Sequence, residues 1–386
     1  MKARRGFESI QQCLYRELFT RGETSSRVLA RTLGVRISAL EENVRPLVRK
    51  GLVGFRDGRK RIGINADFGH VVGIDLGGSH LHFALADFRG ELLSDSTAKI
   101  RPEDGPRKMI AQIKEGIRGL ASRAGHGRLR AMAISVPSPV DAERGVVAFA
   151  NNLPGWKNIH LGHELEQEFR VPVFLENDAN MAAIGEHWRG VARGVDNFVF
   201  IALGTGIGSG IFAGGKLYRG RTGSAGELFR MNLEWERWAE DFGDTGYFES
   251  YVSGQGIAAH GRKLLAGPEK SEPFGLAEER DAYFVFQSLR QGNPEAGAVL
   301  EKIFTMLGVG VANVVAVLDP DLIVLGGGVV KGAPELLLGT VEKVVHHIHP
   351  DSPPLQLSSL EDKAQTYGAI FSALTVARDA IARRLG

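Results

Sequence analysis

Apolar positions change their spacing several times along the chain, and each change marks an element. Between residues 7 and 20, Ile10, Cys13, Leu14 and Leu18 recur at helical spacing, and Gly22 ends the run. Cys13 falls on the apolar stripe, which predicts a buried core thiol. Ser25 or Ser26 stands where it can cap a second helix that runs through Leu33 and closes at Gly34. Ser38 stands where it can cap a third helix reaching Lys50, with Leu40, Val44, Leu47 and Val48 facing inward. The pattern then switches to strands over residues 52–55 and 61–65, around the hairpin signal Asp57-Gly58. Three short helices and a basic hairpin predict a winged helix-turn-helix over residues 1–68.

After a junction at residues 67–70, a buried strand leads through Asp75 to Gly77-Gly78-Ser79, and an alternating run follows at residues 81–87. The same order recurs where residues 198–203 lead into Gly204-Thr205-Gly206 and a second apolar run. Glycines at a hairpin tip let backbone N–H groups approach a phosphate, and Asp75 could hold Mg²⁺ through water. The second cluster is not a dinucleotide fingerprint, because no helix follows it at the required spacing. Residues 210–216 nearly match a P-loop, but Leu217 stands where Ser or Thr would bind Mg²⁺. A third glycine turn, Gly326-Gly327-Gly328, could pack against an adenine base. Two such hairpins predict a duplicated α/β fold with nucleotide held between two lobes.

Residues 173–175 are apolar and lead straight into Glu176-Asn177-Asp178-Ala179-Asn180. A buried strand ending in carboxylates and amides puts them at the carboxyl edge of a sheet, where open α/β folds bind ligands. Asp178 there can accept a proton from a hydroxyl that Asn177 holds. A plain helix N-cap explains the same residues equally well.

Composition narrows the class. The chain has 386 residues, with 43% hydrophobic and 24% charged, the profile of an ordinary globular protein. A single cysteine excludes an internal disulfide and any multi-cysteine metal site. The start of the chain shows no signal-peptide pattern, and the uncharged stretch 197–215 carries six glycines, which argues against a membrane helix. A cytoplasmic location with no membrane partner is expected. The net charge of +2 is uneven: residues 1–65 hold 15 Lys or Arg against 6 Asp or Glu, which leaves −7 for the remainder. A basic head on an acidic body fits a head that meets nucleic acid. Its third helix would enter the major groove, presenting Arg36, Ser38, Asn43, Arg45 and Arg49, while Arg56, Arg59, Lys60 and Arg61 would grip phosphates from the wing. Glu41, Glu42 and Pro46 on the same helix weigh against this, and a protein-contact module is the alternative.

Seven motifs occur in an order that resembles the ROK family of repressors and sugar kinases, from about residue 71 to the C-terminus. They are Asp75-Leu76-Gly77-Gly78-Ser79, the stretch from Val136 to Asp141, the stretch from Asn152 to Trp156, and Glu176-Asn177-Asp178-Ala179-Asn180. Gly204-Thr205-Gly206-Ile207-Gly208, Gly223-Ser224-Ala225-Gly226-Glu227, and Asp319-Pro320 with Gly326-Gly327-Gly328 complete the set. The resemblance implies a two-lobed actin-like ATPase fold, with lobes at 69–182 and 183–386 and a final helix, from about residue 365, packed on the first. It implies Asp178 as general base, with Asn152, Asn177, Glu227 and Glu249 on sugar hydroxyls. It places Gly77, Gly78, Ser79, Gly204, Thr205 and Gly206 around ATP phosphates. The basic head resembles that of the family's repressor branch.

The departures are specific. Family members carry a histidine and a cysteine-rich segment that bind zinc; here those positions read Arg230, Glu240, Phe242 and Tyr247, so no zinc is expected. Phe242 and Tyr247 are expected to hold the loop by apolar packing instead. Arg230 suits an acidic sugar, or pairs with Glu227 or Glu249. His346, His347 and His349 read as a solvated helix end, 303–318 as a packed core helix, and 262–284 as a surface excursion without function. Three functions follow: a sugar-responsive DNA-binding regulator, acting as a homodimer or homotetramer; a sugar kinase using ATP and Mg²⁺; and an enzyme whose head serves oligomerisation.

Overall fold

The computed structural model describes residues 9–123, 128–150, 153–265 and 282–385. The chain divides into two compact units. Unit 1 comprises residues 1–136, 140–176 and 369–386, and unit 2 comprises 137–139 and 177–368.

Unit 1 begins with the head. Helix α1 (Ile10–Arg21) starts at a capping box in which the Ser9 hydroxyl accepts from the Gln12 N–H at 3.2 Å, and the Ser9 N–H donates to the Gln12 side chain at 2.8 Å. Helix α2 (Ser26–Leu33) is capped by Ser25 and ends at Gly34, whose φ of 64° suits glycine. Helix α3 (Ile37–Arg49) buries Leu40, Val44 and Leu47. It begins two residues earlier than expected, with Arg36 at its N-cap and no side-chain cap, so Ser38 lies within the first turn. Pro46 is accommodated inside α3. The carbonyl its ring leaves unbonded is that of Glu42, on an exposed face where water can serve it. Strands Val53–Arg56 and Arg61–Ile64 pair antiparallel, and Asp57 and Gly58 between them both adopt positive φ. A two-residue strand, Thr24–Ser25, joins the hairpin as its third member.

Cys13 is half-buried rather than core. The helix turns Tyr15 inward instead, against a junction between the head and the rest of unit 1. There Phe19 meets Tyr15 and Phe88 edge-on, at 5.1 and 5.7 Å between ring centres, and Arg378 lies 5.1 Å from the centre of the Phe19 ring. Phe68 packs on Phe88, and Arg130 stacks 3.7 Å above Phe68 while donating to its carbonyl. Arg89 bonds the Ile64 carbonyl and pairs with Glu23 at 2.9 Å. The Gln12 side chain reaches the Ala382 carbonyl of the terminal helix, Ala364–Arg383. Rings and charge-assisted bonds of this kind seat the head against the terminal helix and the strand 80–87 region.

The main sheet of unit 1 orders its strands 173–177, 129–136, 70–76, 80–87 and 92–99. Strands 70–76 and 80–87 form the first glycine-tipped hairpin, and 129–136 lies parallel beside it. Unit 2 repeats this plan. Its sheet runs 216–217, 207–213, 198–203, 322–326 and 355–357, again a hairpin with a parallel neighbour. The duplicated α/β plan expected from the two glycine clusters is therefore present. Pro294–Leu318 is long and apolar enough to cross a membrane, yet Leu300, Phe304, Leu307 and Val311 are buried in the core of unit 2. Its Gly308 and Gly310 let Val344 and Phe248 approach closely. His346 and His347 end the helix Pro334–Ile348 in solvent, as expected, whereas His349 is half-buried with its Nε2 3.1 Å from the Ala312 carbonyl.

Candidate functional site

Asp178 is the first residue of the helix Asp178–Arg189, directly after the strand Val173–Asn177. Asn177 is the N-cap: its Oδ1 accepts from the Ala179 and Asn180 N–H groups at 3.0 and 3.2 Å. Asn177 therefore has the capping role that its residue type suits. The Asp178 carboxylate shares this cap, since its Oδ1 accepts from the same Ala179 N–H at 2.8 Å, which fixes the carboxylate at the helix head. The Asn177 Nδ2 reaches toward the Ser138 carbonyl at 3.5 Å.

Two glycines bring this helix to the second glycine turn. A Cβ at Gly208 would meet the Ala179 Cβ at 2.9 Å, and one at Gly210 would meet the Asn180 Cα at 3.2 Å. Only bare backbone lets the helix lie so close to strand 207–213. The same strand holds Glu227 in place, since the Ser209 hydroxyl donates to the Gly226 carbonyl at 2.7 Å. Glu249 accepts from the Ile207 N–H at 2.7 Å, immediately after Gly206. Glu249 is thus tied to the glycine turn, a link that its place in the sequence, 42 residues away, does not reveal.

Asp178, Glu227 and Glu249 are therefore assembled around one strand of unit 2. Burial pushes the Glu249 carboxyl up to about 7, opposed by the Ile207 N–H and reinforced by the Glu227 charge. Burial also raises Glu227, against the pull of Arg230. Arg230 is exposed and lies 4.8 Å from the centre of the Phe229 ring, so its charge acts on Glu227. A raised folded pKa means that Glu249 contributes stability below its unfolded value near 4.5, and that this is lost as pH rises through about 7. Glu249→Gln should therefore stabilise the protein by about 1–2 kcal/mol after solvent screening at pH 8, and raise its melting temperature there, but not at pH 4.5. Calorimetry at the two pH values checks this; equal effects at both would contradict the shift.

The loop that would carry the family's zinc ligands is held by rings. Phe242 and Tyr247 meet edge-on at 5.2 Å, Tyr247 packs on Tyr251, and Arg237 lies 5.0 Å from the centre of the Phe242 ring. Arg237 also grips Glu240 through two bonds of 2.8 and 2.6 Å. Apolar packing by Phe242 and Tyr247 is as expected.

Around the second turn, unit 2 has a cavity of about 670 Å³ lined by Gly204, Thr205, Tyr283, Phe286, Arg290 and Lys331, among others. Gly328 of the third glycine turn lines it. Gly326 instead faces Phe200 and Ser358, and Gly327 abuts the Leu203 backbone at a φ of 103°. At these two the missing Cβ makes room for the neighbouring ring and backbone. Tyr283 belongs to the stretch 262–284, which the sequence presents as a surface excursion without function; residues 266–281 of it lie outside the described residues, and Tyr283 lines the cavity. Asn152 also lies outside the described residues. In unit 1, Gly77 bonds the His80 carbonyl, Gly78 and Ser79 form the exposed tip, and burial raises the Asp75 carboxyl beside Ser135. In the head, Arg36, Ser38, Arg45, Arg49, Lys60 and Arg61 are exposed, while Asn43 is half-buried and bonds the Ala39 carbonyl. Arg61 also donates to the Glu23 carbonyl at 2.5 Å. The backbone at Arg59 is described; its side chain lies outside the described residues.

Two glycine-tipped hairpin sheets with a carboxylate at the head of the following helix define the class of actin-like sugar-kinase folds. The chain belongs to the ROK family, whose pattern matches residues 71–376. A putative xylose repressor of Caldicellulosiruptor is 28% identical over 85% of this chain and 84% of its own. The glucokinase of Thermotoga maritima is 33% identical over 72% of this chain and 88% of its own. Among solved structures, a ROK family transcriptional regulator, homologous to the Escherichia coli MLC protein, superposes with a TM-score of 0.81 at 25% identity, covering 97% of both chains. A ROK glucokinase of Streptomyces griseus in complex with glucose and AMPPNP gives 0.66 at 29% identity, covering 80% of this chain and all of that one.

Proposed function

We propose that this chain is a sugar-responsive transcriptional repressor that binds operator DNA through its head and a sugar at Asp178, Glu227 and Glu249. The observation that carries this is coverage: the regulator structure matches 97% of the chain, whereas the glucokinase match leaves a fifth of it without counterpart. The family pattern begins only after the head, at residue 71. The head is also the basic part of the chain, with a net charge of +9 over residues 1–65.

A continuous path supports the coupling. The terminal helix Ala364–Arg383 begins in unit 2 and ends in unit 1. In unit 2, Gly368 abuts the Met181 carbonyl and Gly185 abuts that of Ala364, so its start is seated on the Asp178 helix. In unit 1, Arg378 and the Ala382 carbonyl engage Phe19 and Gln12 of α1. A sugar that shifts the Asp178 helix would move the seat of the head, and in a homodimer or homotetramer the spacing of paired heads. This requires the sugar to bind the two states unequally.

The test uses DNA from upstream of the protein's own gene and a panel of sugars. The effective sugar should release the DNA from the intact protein. Asp178→Asn should keep operator affinity within about threefold while weakening the sugar response about 10–100-fold, the loss of a charged hydrogen bond. An unchanged sugar response in Asp178→Asn would overturn the site assignment.

A second reading, ATP-dependent phosphorylation of the sugar, is favoured by the cavity beside Gly204 and Thr205. Tyr283 and Phe286 would face a base, and Arg290 and Lys331 would supply positive charge. Bound Mg²⁺-ATP would supply the transferable phosphoryl group, with Asp75 the candidate to hold the metal through water. Asp178 would take the proton from the attacking hydroxyl.

A further inference from the structure

Trp235 and Trp238 are 78% and 80% exposed, although tryptophan ordinarily buries most of its surface. They stand three residues apart, Trp235 opening the tight turn Trp235–Arg237 and Trp238 capping it, and the Trp238 N–H bonds the Trp235 carbonyl at 3.3 Å. In a turn of three residues, side chains at i and i+3 eclipse, so both indoles project from the same edge. The turn is braced from behind. Arg237, between the two rings, is committed to Glu240 and, at 2.6 Å, to the Tyr251 hydroxyl. The neck of the loop is closed by the Phe248 N–H on the Phe229 carbonyl at 3.1 Å. The loop departs from Glu227 and returns at Glu249, the two carboxylates of the candidate sugar site. Glu234, Glu236 and Asn232 are exposed beside the indoles.

From this geometry we infer a second carbohydrate subsite at Trp235 and Trp238, which makes the effector a neutral oligosaccharide rather than a single sugar ring. Two flat apolar rings offer stacking surfaces to the C–H faces of pyranose rings, and their N–H groups can donate to hydroxyls. Glu236 supplies an acceptor for further hydroxyls, while Glu234 pairs with Arg237 at 3.6 Å and helps brace the turn. The same carboxylates, with Glu240, Asp241 and Asp244 on the loop, oppose an acidic ligand. The braced turn fixes the backbone that carries the rings, which limits the ordering cost at binding to the side chains. The inference rests on the proposed sugar site, since it extends that site along the same loop.

The test is calorimetric titration of the intact protein with neutral gluco- and xylo-oligosaccharides of one to five rings. The longer members should bind about tenfold more tightly than the single rings. Trp235→Ala with Trp238→Ala should bring them down to single-ring affinity, leave single-ring affinity unchanged and leave the sedimentation mass unaltered. Equal affinity for one ring and several in the unmodified protein, or no effect of the double substitution, would overturn the subsite. So would a change in sedimentation mass, which would make the indoles a contact between copies. Asp178→Asn separates this inference from the function it builds on. Loss of single-ring binding with residual, tryptophan-dependent oligosaccharide binding upholds both assignments. Unchanged single-ring binding refutes the Asp178 site alone.

Discussion

Arg45→Glu combined with Arg49→Glu should lower operator affinity by about 100-fold or more at moderate salt, and should reduce the salt slope of binding by about 2 for each head on the DNA. Both side chains are exposed, and their separation of four residues puts them on one face of α3. Each arginine taken off a phosphate removes roughly 0.9 from the slope, and the added carboxylates repel the backbone as well. Glu41 lies one turn before Arg45 on the same stripe and already offsets part of the attraction. The substitutions touch none of the buried residues of α3, Leu40, Val44 and Leu47, so circular dichroism should be unchanged. A folded variant with unaltered affinity would mean that DNA, if bound, does not meet this face.

Gly368→Val should destabilise unit 2 by about 3 kcal/mol and lower its melting temperature by about 6–12 °C. The terminal helix and the Asp178 helix cross backbone to backbone here. Any side chain at Gly368 runs into the Met181 carbonyl, and one at Gly185 into that of Ala364. Backbone cannot yield as a flexible side chain can, so the helices must part. A surviving fold should also lose much of its sugar response, because the start of the terminal helix would no longer follow the Asp178 helix. Gly339→Ala is the contrasting control: its Cβ would meet nothing within 4 Å on an exposed helix face, and it should stabilise by about 0.5–1 kcal/mol. Similar losses in both variants would indicate a general intolerance of helix substitutions and not the crossing.

Much of this is legible in the chain itself, for identifiable reasons. Gly77-Gly78 and Gly204-Thr205-Gly206 interrupt strongly apolar strands, so each hairpin announces itself locally. Asp178 follows its strand directly, which is enough to put it at a sheet edge. What is not legible depends on contacts between distant residues. Arg36, not Ser38, is the N-cap of α3, and no side-chain cap marks that boundary. Thr24–Ser25 is too short to show a strand pattern and exists only through its pairing with residues 61–62. Tyr283 stands at the edge of a polar, glycine-bearing stretch, and only the fold turns it toward Gly204. Gly185 and Gly368 look like ordinary interruptions of helices, yet their value lies in each other's company.

The most direct measurement is the affinity of the intact protein for DNA upstream of its own gene, taken across a salt series with and without the effective sugar. A sugar-responsive repressor should bind tightly, with affinity that falls steeply with salt at a log–log slope of about −5 or steeper for paired heads, and should release the DNA when sugar is added. Binding that is weak, insensitive to salt or indifferent to sugar across the panel would contradict it and leave the kinase reading in its place.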